Sequence, residues 1–234
     1  MTYTEENVRA GLRVKDGKRV FYLREEDKLT PAAKEWLRQE QIEVLPAASA
    51  AVGEYVTPDG AVFSRKPEHM THLRENILVP KNHPRIRFRG MVDTLEAELL
   101  WAGSLAVRAG EARLAAELRE VLQFVRELIP CDVLEKPVGD FRLCGLDAAQ
   151  LREHSHFPQK YYGQPHFLPS DGDDPLLLAL NRVRTVVRQA ELAAYDAFHP
   201  TEYHKGREDI LLALNRLSSL LWVLMIRKKS EGKS

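Results

Sequence analysis

Across 234 residues, 44% hydrophobic and 29% charged, the chain carries enough apolar material for one sizeable core and a smaller module. Thirty-four lysines and arginines balance 34 aspartates and glutamates; a net charge of zero excludes the basic footprint of a duplex nucleic-acid binder and a polybasic membrane anchor, so any anionic ligand must be met by a local cluster. Two cysteines, Cys131 and Cys144, without a metal-type spacing and without a secretory leader, set the expectation of a reducing cytoplasmic compartment.

In chain order, the run from Lys18 to Arg24 reads as a strand, and Thr30-Pro31 then supplies an N-cap and first-turn proline for a helix through about Glu40. A second short strand follows in "IEVLP". After an Ala-rich link, "EYVTPDGAVFS" holds a Pro-Asp-Gly turn between two extended runs and predicts a hairpin. A boundary near Lys66 to Thr71 makes residues 1–66 a small strand-helix-strand α/β module and residues 67–234 a separate domain. Beyond it helical periodicity dominates, over Pro84 to Ala109, Glu111 to Leu128, Asp147 to His154, Asp174 to Phe198 and Gly206 to Lys228. These five helices predict a mainly α protein built as an antiparallel bundle. The stretch from Pro130 to Asp173, rich in prolines and histidines, is irregular and is the expected edge of a site.

The last helix is the most informative element. From Asp209 to Ile226 it is apolar except for Asn215, Arg216, Ser218 and Ser219, so it reads as a core helix and not as a membrane span. A buried polar group left unpaired costs on the order of 1–3 kcal/mol, so another helix or a polar ligand must satisfy these side chains. The preceding helix offers candidates: Asn181, Arg184, Arg188 and Glu191 share one face at i+3 and i+4 spacing. Taken alone, the row of Asn181, Arg184, Arg188 and Glu191 is more often a set of structural interhelical salt bridges than a ligand site.

Four blocks carry a family resemblance: "VPKNHPRIRFRGMVDTLEAEL" (Val79 to Leu99), "HFLP" (His166 to Pro169), "RTVVRQAE" (Arg184 to Glu191) and "LNRLSS" (Leu214 to Ser219). Their order and spacing resemble the PduO-like corrinoid adenosyltransferases. The terminal helix, "EHSHFP" (Glu153 to Pro158) and "LTPAAKEWL" resemble more specifically the EutT type of ethanolamine utilisation. The resemblance implies transfer of the adenosyl group of ATP to the cobalt of cob(I)alamin, with triphosphate as the leaving group and an electron-donating reductase as partner. It implies ATP contacts from Lys81, Arg188, Glu191 and Asn215, and a homo-oligomer, trimer before dimer, in which Asp93 pairs with Arg184 across a subunit interface. It also implies a cytoplasmic protein with a place inside a bacterial microcompartment as an option. The chemistry agrees with the residue types: cobalt is the nucleophile, so the protein supplies positioning and charge, and guanidinium forks match phosphate oxygens.

The chain departs from the family at three points. "EHMTHLRENILV" stands before Lys81 where a Gly-rich nucleotide loop is expected; Thr71 and His72 are the candidates there. Ser219 occupies the place of an aspartate, which removes a carboxylate partner for Arg216. His166 falls in register with the phenylalanine that displaces the lower axial ligand of cobalamin, and Phe167 is its neighbour; either could take that role. With no cysteine before Cys131, no zinc or iron is expected, only a divalent ion such as Mg2+ accompanying ATP. His69 and His72 are spaced as two ligands but lack further donors, and His154 and His156 read as a helix-end pair. A noncatalytic bundle serving as scaffold or adaptor in an ethanolamine-utilising microcompartment is the alternative function. A di-iron bundle would need two inward Glu-x-x-His motifs, and only Glu153 and His156 have that spacing.

Overall fold

Short extended runs at the start of the chain and long 3.6-period runs after them separate into two units, Met1–His83 with Val133–Glu135, and Pro84–Asp132 with Lys136–Ser234. The structure is a computed structural model that describes residues 1–15, 17–47, 55–199 and 206–231. Most of the Ala-rich link lies outside the described residues.

In the first unit, β1 (Thr2–Tyr3), α1 (Glu5–Ala10), β2 (Arg13–Lys15), β3 (Lys18–Leu23), β4 (Lys28–Leu29), α2 (Pro31–Gln39) and β5 (Glu43–Pro46) follow in order. β3 pairs antiparallel with β2 and parallel with β5, so α2 lies in the crossover between parallel strands. Thr30 caps α2 by accepting from the Ala33 amide at 3.3 Å, and Pro31 at the first turn has no amide hydrogen to leave unsatisfied. Val8, Phe21, Trp36 and Leu37 close a small core beneath. The expected hairpin is present as β6 (Tyr55–Val56) and β7 (Val62–Phe63), antiparallel. The Thr57 hydroxyl accepts from the Ala61 amide at 2.9 Å across its turn, where Gly60 takes a φ of 91° that favours glycine.

The boundary differs from the expectation near Lys66. β8 (Met70–Arg74) and β9 (Ile77–Pro80) form a second hairpin, and the four strands join in the order β7-β6-β9-β8. The buried amide of Asn76 holds this hairpin to β2: it accepts from the Val14 amide at 2.6 Å and donates to the Val14 carbonyl at 3.1 Å, as a strand neighbour would. Polar Thr71, His72 and Arg74 obscure the short strand in the sequence. A cut near Lys66 would strip β9 of its pairing with β6, so the compact unit ends at His83.

The second unit contains each of the five expected helices: α3 (Pro84–Arg108), α4 (Ala112–Val133), α5 (Ala148–His156), α7 (Pro175–Phe198) and α8 (Glu208–Glu231), with the short α6 (Pro158–Tyr162) between. A small hairpin, β10 (Arg142–Leu143) and β11 (Leu146–Asp147), precedes α5. α7 packs against both α3 and α8, and α5 against α8. In α3 the fully buried positions Phe88, Val92, Leu95, Leu99, Ala102 and Ala106 recur every three or four residues, which makes one stripe of the core. Asp147 and Asp174 cap α5 and α7; Asp174 accepts from the Leu176 amide at 2.7 Å.

α4 does not stop near Leu128 but passes Pro130 and ends at Val133. Its last turn is held from outside. The Asp132 carboxylate, wholly buried, accepts from Arg85 Nε at 2.8 Å and Arg89 Nε at 2.6 Å, and its carbonyl accepts from Arg85 at 2.9 Å. Arg207 donates to the Cys131 carbonyl at 3.0 Å. These guanidiniums satisfy carbonyls that the end of the helix would otherwise leave unpaired.

Candidate active site

α7 and α8 pack through their apolar stripes, and this turns the two polar rows toward the same open space. Arg184, Arg188 and Glu191 of α7 meet Asn215, Arg216, Ser218 and Ser219 of α8 along a cleft of about 640 Å3. α5 contributes Arg152, Ser155 and His156, and the loop after α6 contributes His166, Phe167, Leu168 and Pro169. The expectation of buried polarity in α8 is corrected here: Asn215 is exposed and Arg216 half-buried, because their row faces this cleft and not the core. The apolar row, Ile210, Leu214, Leu217, Leu221 and Met225, is the buried one. By length and composition α8 could cross a membrane, but that buried row belongs to the core of the unit.

A short polar chain links the rows. Asn215 Nδ2 donates to Glu191 Oε1 at 2.8 Å, and Arg216 Nη1 donates to Asn215 Oδ1 at 2.6 Å. Arg184 donates to Asn181 Oδ1 at 3.0 and 3.3 Å and lies 5.7 Å from the Trp222 ring centre, a cation-π distance. Burial, and then the neighbouring Arg188 charge, push the Arg184 guanidinium below its ordinary value. Burial and Arg152 do the same to Arg216, with Glu191 opposing. Four guanidiniums thus share a lining whose one carboxylate is Glu191. Crowding of like charge at partly desolvated sites is relieved by binding a polyanion.

Beside this basic half stands an aromatic wall. Trp222 stacks on Phe167 at 5.2 Å and on His166 at 5.8 Å, with the planes 21° and 12° apart. Its indole N–H donates to His166 Nδ1 at 3.2 Å, so the imidazole proton sits on Nε2, which donates to the His156 carbonyl at 3.3 Å. Both His166 nitrogens are thereby occupied, whereas Phe167 is half-buried against the core and offers only its ring.

Of the residues expected in a site, Arg184, Arg188, Glu191, Asn215, His166 and Phe167 come together in this cleft. Lys81 belongs to the first unit, where it follows β9 and its amide donates to the His69 carbonyl at 3.0 Å. Asp93 does not line the cleft. It is exposed on α3, on the outward side of the Val92 and Leu95 stripe. Arg152 and Trp222 escape sequence reasoning. Trp222 follows Asn215 by two helical turns on the same face, a signal that an apolar run hides; Arg152 lies in the short helix expected over Asp147 to His154, where no polar row singles it out.

His154 and His72 have local partners. His154 Nδ1 is 2.7 Å from the Tyr162 hydroxyl and its ring stacks on Tyr161 at 3.8 Å, while His72 Nδ1 is 3.1 Å from the Glu75 carbonyl. Among the described residues, no group of three or more His, Cys, Asp or Glu side chains is placed to hold a metal ion.

Residues 61–228 match the family model described as cobalamin adenosyltransferase. The corrinoid adenosyltransferase EutT of Escherichia coli (strain K12) is 34% identical over 165 residues, covering 70% of this chain and 60% of the relative. That of Salmonella typhimurium (strain LT2) is 34% identical over 164 residues, covering 69% and 59%. The match therefore spans less than two thirds of the length of these relatives. Among solved structures, a variant PduO-type ATP:co(I)rrinoid adenosyltransferase from Lactobacillus reuteri complexed with ATP aligns with a TM-score of 0.55 at 20% identity, over 70% of this chain and 92% of that one. A second variant, complexed with cobalamin and ATP, aligns with a TM-score of 0.50 at 22% identity, over 77% and 88%. At such identities these two establish a shared fold. Because the family model covers residues 61–228, well over half of the chain, this protein belongs to the cobalamin adenosyltransferase family.

Proposed function

We propose that the protein transfers the 5′-deoxyadenosyl group of ATP to the cobalt of a cob(I)alamin-type corrinoid. The observation that carries this reading is the cleft itself, in which a guanidinium cluster with one carboxylate adjoins a flat aromatic wall: a polyanion and a large planar ring fit side by side. In the reaction the cobalt(I) electron pair attacks the ribose 5′ carbon, the C5′–O bond breaks, and triphosphate leaves with that bond's electrons. Arg188 and Arg184 would stabilise the charge on the leaving group, and Glu191 and Asn215 would hold the nucleoside end, with Lys81 and a divalent ion such as Mg2+ on the phosphates. The chain's own contribution is orientation and exclusion of water. We read the five expected helices as an antiparallel bundle and the setting as cytoplasmic ethanolamine utilisation with a separate reductase.

Incubation with ATP and chemically reduced cobalamin should give one light-sensitive cobalt-carbon product and one intact triphosphate per turnover. ADP, or separate diphosphate and phosphate, as the stoichiometric product would refute it. Binding of both substrates without turnover would leave the scaffold reading in its place.

Phe167 is the better candidate for the lower face of the corrinoid, since its ring is unligated while both His166 nitrogens are engaged. Phe167→Ala is expected to slow the reaction with cob(II)alamin plus reductant by about tenfold or more, and the reaction with prereduced cob(I)alamin much less, because the latter has no lower ligand to displace. A selective loss in His166→Ala alone would assign the role to His166.

We also propose that Asp93 meets Arg184 of a second copy. Exposed Leu100 and Trp101 follow Asp93 on α3, and exposed Leu192 and Tyr195 follow Arg184 on α7, so both charges stand beside apolar surface that a second subunit would cover. Such a pair becomes desolvated on assembly. The double change Asp93→Ala with Arg184→Ala should then cost less in ATP affinity than the sum of the single changes, by about 1–3 kcal/mol of coupling. Strict additivity in a protein that sediments as a monomer would refute the pairing.

A further inference from the structure

His156 and His166 bring imidazoles into the cleft, and a histidine there is a hazard for the proposed reaction. Imidazole is a ligand type that cobalt(II) accepts, and His166 is exposed and adjoins Phe167 at the proposed lower face of the corrin ring. An axial nitrogen raises the cobalt orbital that must take up the reductant's electron, so a ligated corrinoid is harder to convert to the cobalt(I) nucleophile. Displacing the corrinoid's own base is useless if His166 takes its place.

With one ring nitrogen protonated, an imidazole has a single lone pair to offer a metal. In His166 that pair is on Nδ1, because Nε2 donates to the His156 carbonyl at 3.3 Å. What meets Nδ1 is the Trp222 indole N–H, at 3.2 Å. An indole N–H donates only and cannot itself ligate cobalt. Trp222 is held in turn: it is half-buried on α8, its ring lies against Phe167, and the Arg184 guanidinium stands 5.7 Å from its centre. Trp222→Phe would keep an aromatic ring among these neighbours and remove the donor.

We infer that Trp222 is a positioning residue: its indole N–H occupies the His166 lone pair and so withholds a histidine ligand from the cobalt(II) corrinoid, which leaves the lower face to Phe167. The inference rests on the adenosyltransferase reading. It is tested with cob(II)inamide and ATP in nitrogen-free buffer, because this corrinoid has no nucleotide base and an axial nitrogen on it must come from the protein. Electron paramagnetic resonance detects such a nitrogen, whose nuclear spin splits each cobalt hyperfine line into a triplet.

The unaltered protein is expected to show no nitrogen splitting, Trp222→Phe to show it, and Trp222→Phe with His166→Ala to lose it again. The rates should follow. Trp222→Phe lowers turnover of cob(II)inamide plus reductant by about tenfold relative to turnover of prereduced cob(I)inamide, and adding His166→Ala brings that ratio back to within about threefold of the unaltered protein's. A second truncation that repairs the first is foreign to a residue that merely packs. Nitrogen splitting in the unaltered protein that His166→Ala removes would overturn the inference. So would its absence from Trp222→Phe, or its persistence in the double variant, which would make His156 the ligand. Where Trp222→Phe does not fold, benzothienylalanine placed at position 222, which keeps the shape of tryptophan and lacks the N–H, serves in each arm instead. A protein that binds no corrinoid refutes the functional reading and the inference together; one that adenosylates corrinoids without these spectral changes refutes the inference alone.

Discussion

Replacing Arg188 by alanine is expected to lower kcat/KM for adenosyl transfer by about a hundredfold, roughly 2.7 kcal/mol of lost stabilisation of the departing triphosphate. Arg188 is exposed in the cleft and has no ion pair or hydrogen bond among the described residues, so its removal deprives the fold of nothing. The thermal midpoint should therefore stay where it is, and Arg184 should lose a like-charged neighbour. Arg188→Lys should recover part of the rate, because an ammonium keeps the charge but not the planar fork that grips two phosphate oxygens. Steady-state kinetics with prereduced cobalamin, beside thermal denaturation, checks both halves of this expectation. A variant with unchanged kcat/KM would place the leaving group elsewhere in the cleft, and one that unfolds early would make Arg188 a structural residue.

The second large effect concerns stability. Asp132 is fully buried at the end of α4 and holds Arg85 and Arg89, themselves mostly covered. Asp132→Ala would leave both guanidiniums without their carboxylate in a desolvated place, at an expected cost of about 3–5 kcal/mol. For a chain of this size that corresponds to a fall of about 6–20 °C in the thermal midpoint. Asp132→Asn should lose less, since an amide oxygen can still accept one of the bonds. The last turn of α4, already short of one amide at Pro130, should fray first, which amide hydrogen exchange over residues 128–133 would detect. A fall of less than about 1 kcal/mol would mean that water replaces the carboxylate at little cost.

Much of the fold was legible because its determinants are local. The stripe from Phe88 to Ala106 repeats with the helical period, Thr30 and Asp174 cap the helices they precede, and Pro58-Asp59-Gly60 makes the turn that its residue types dictate. The blocks from Arg184 to Glu191 and from Leu214 to Ser219 could likewise be placed on helices, and the 3, 4, 3 spacing from Asn181 to Glu191 put one row on one face. The end of α4 was not legible, because Pro130 is a local stop signal that three arginines distant in sequence override. Nor was the strand from Met70 to Arg74, whose pairing depends on the Asn76 amide reaching Val14.

The sequence by itself determined the helices, the polar rows they carry and the family to which the chain belongs, since each is written in residue type and in short or conserved-order spacing. What those rows confront was decided only in three dimensions. The same helical period that buries Leu214, Leu217 and Leu221 turns Asn215 and Arg216 outward, and whether outward means core, cleft or solvent depends on where α5 and α7 lie against α8. Packing made the Trp222 ring a wall shared by His166, Phe167 and Arg184, brought Arg152 within reach of Arg216, and left Asp93 exposed. Periodicity assigns a side chain to a face of its own helix; only the packing of helices assigns that face a neighbour.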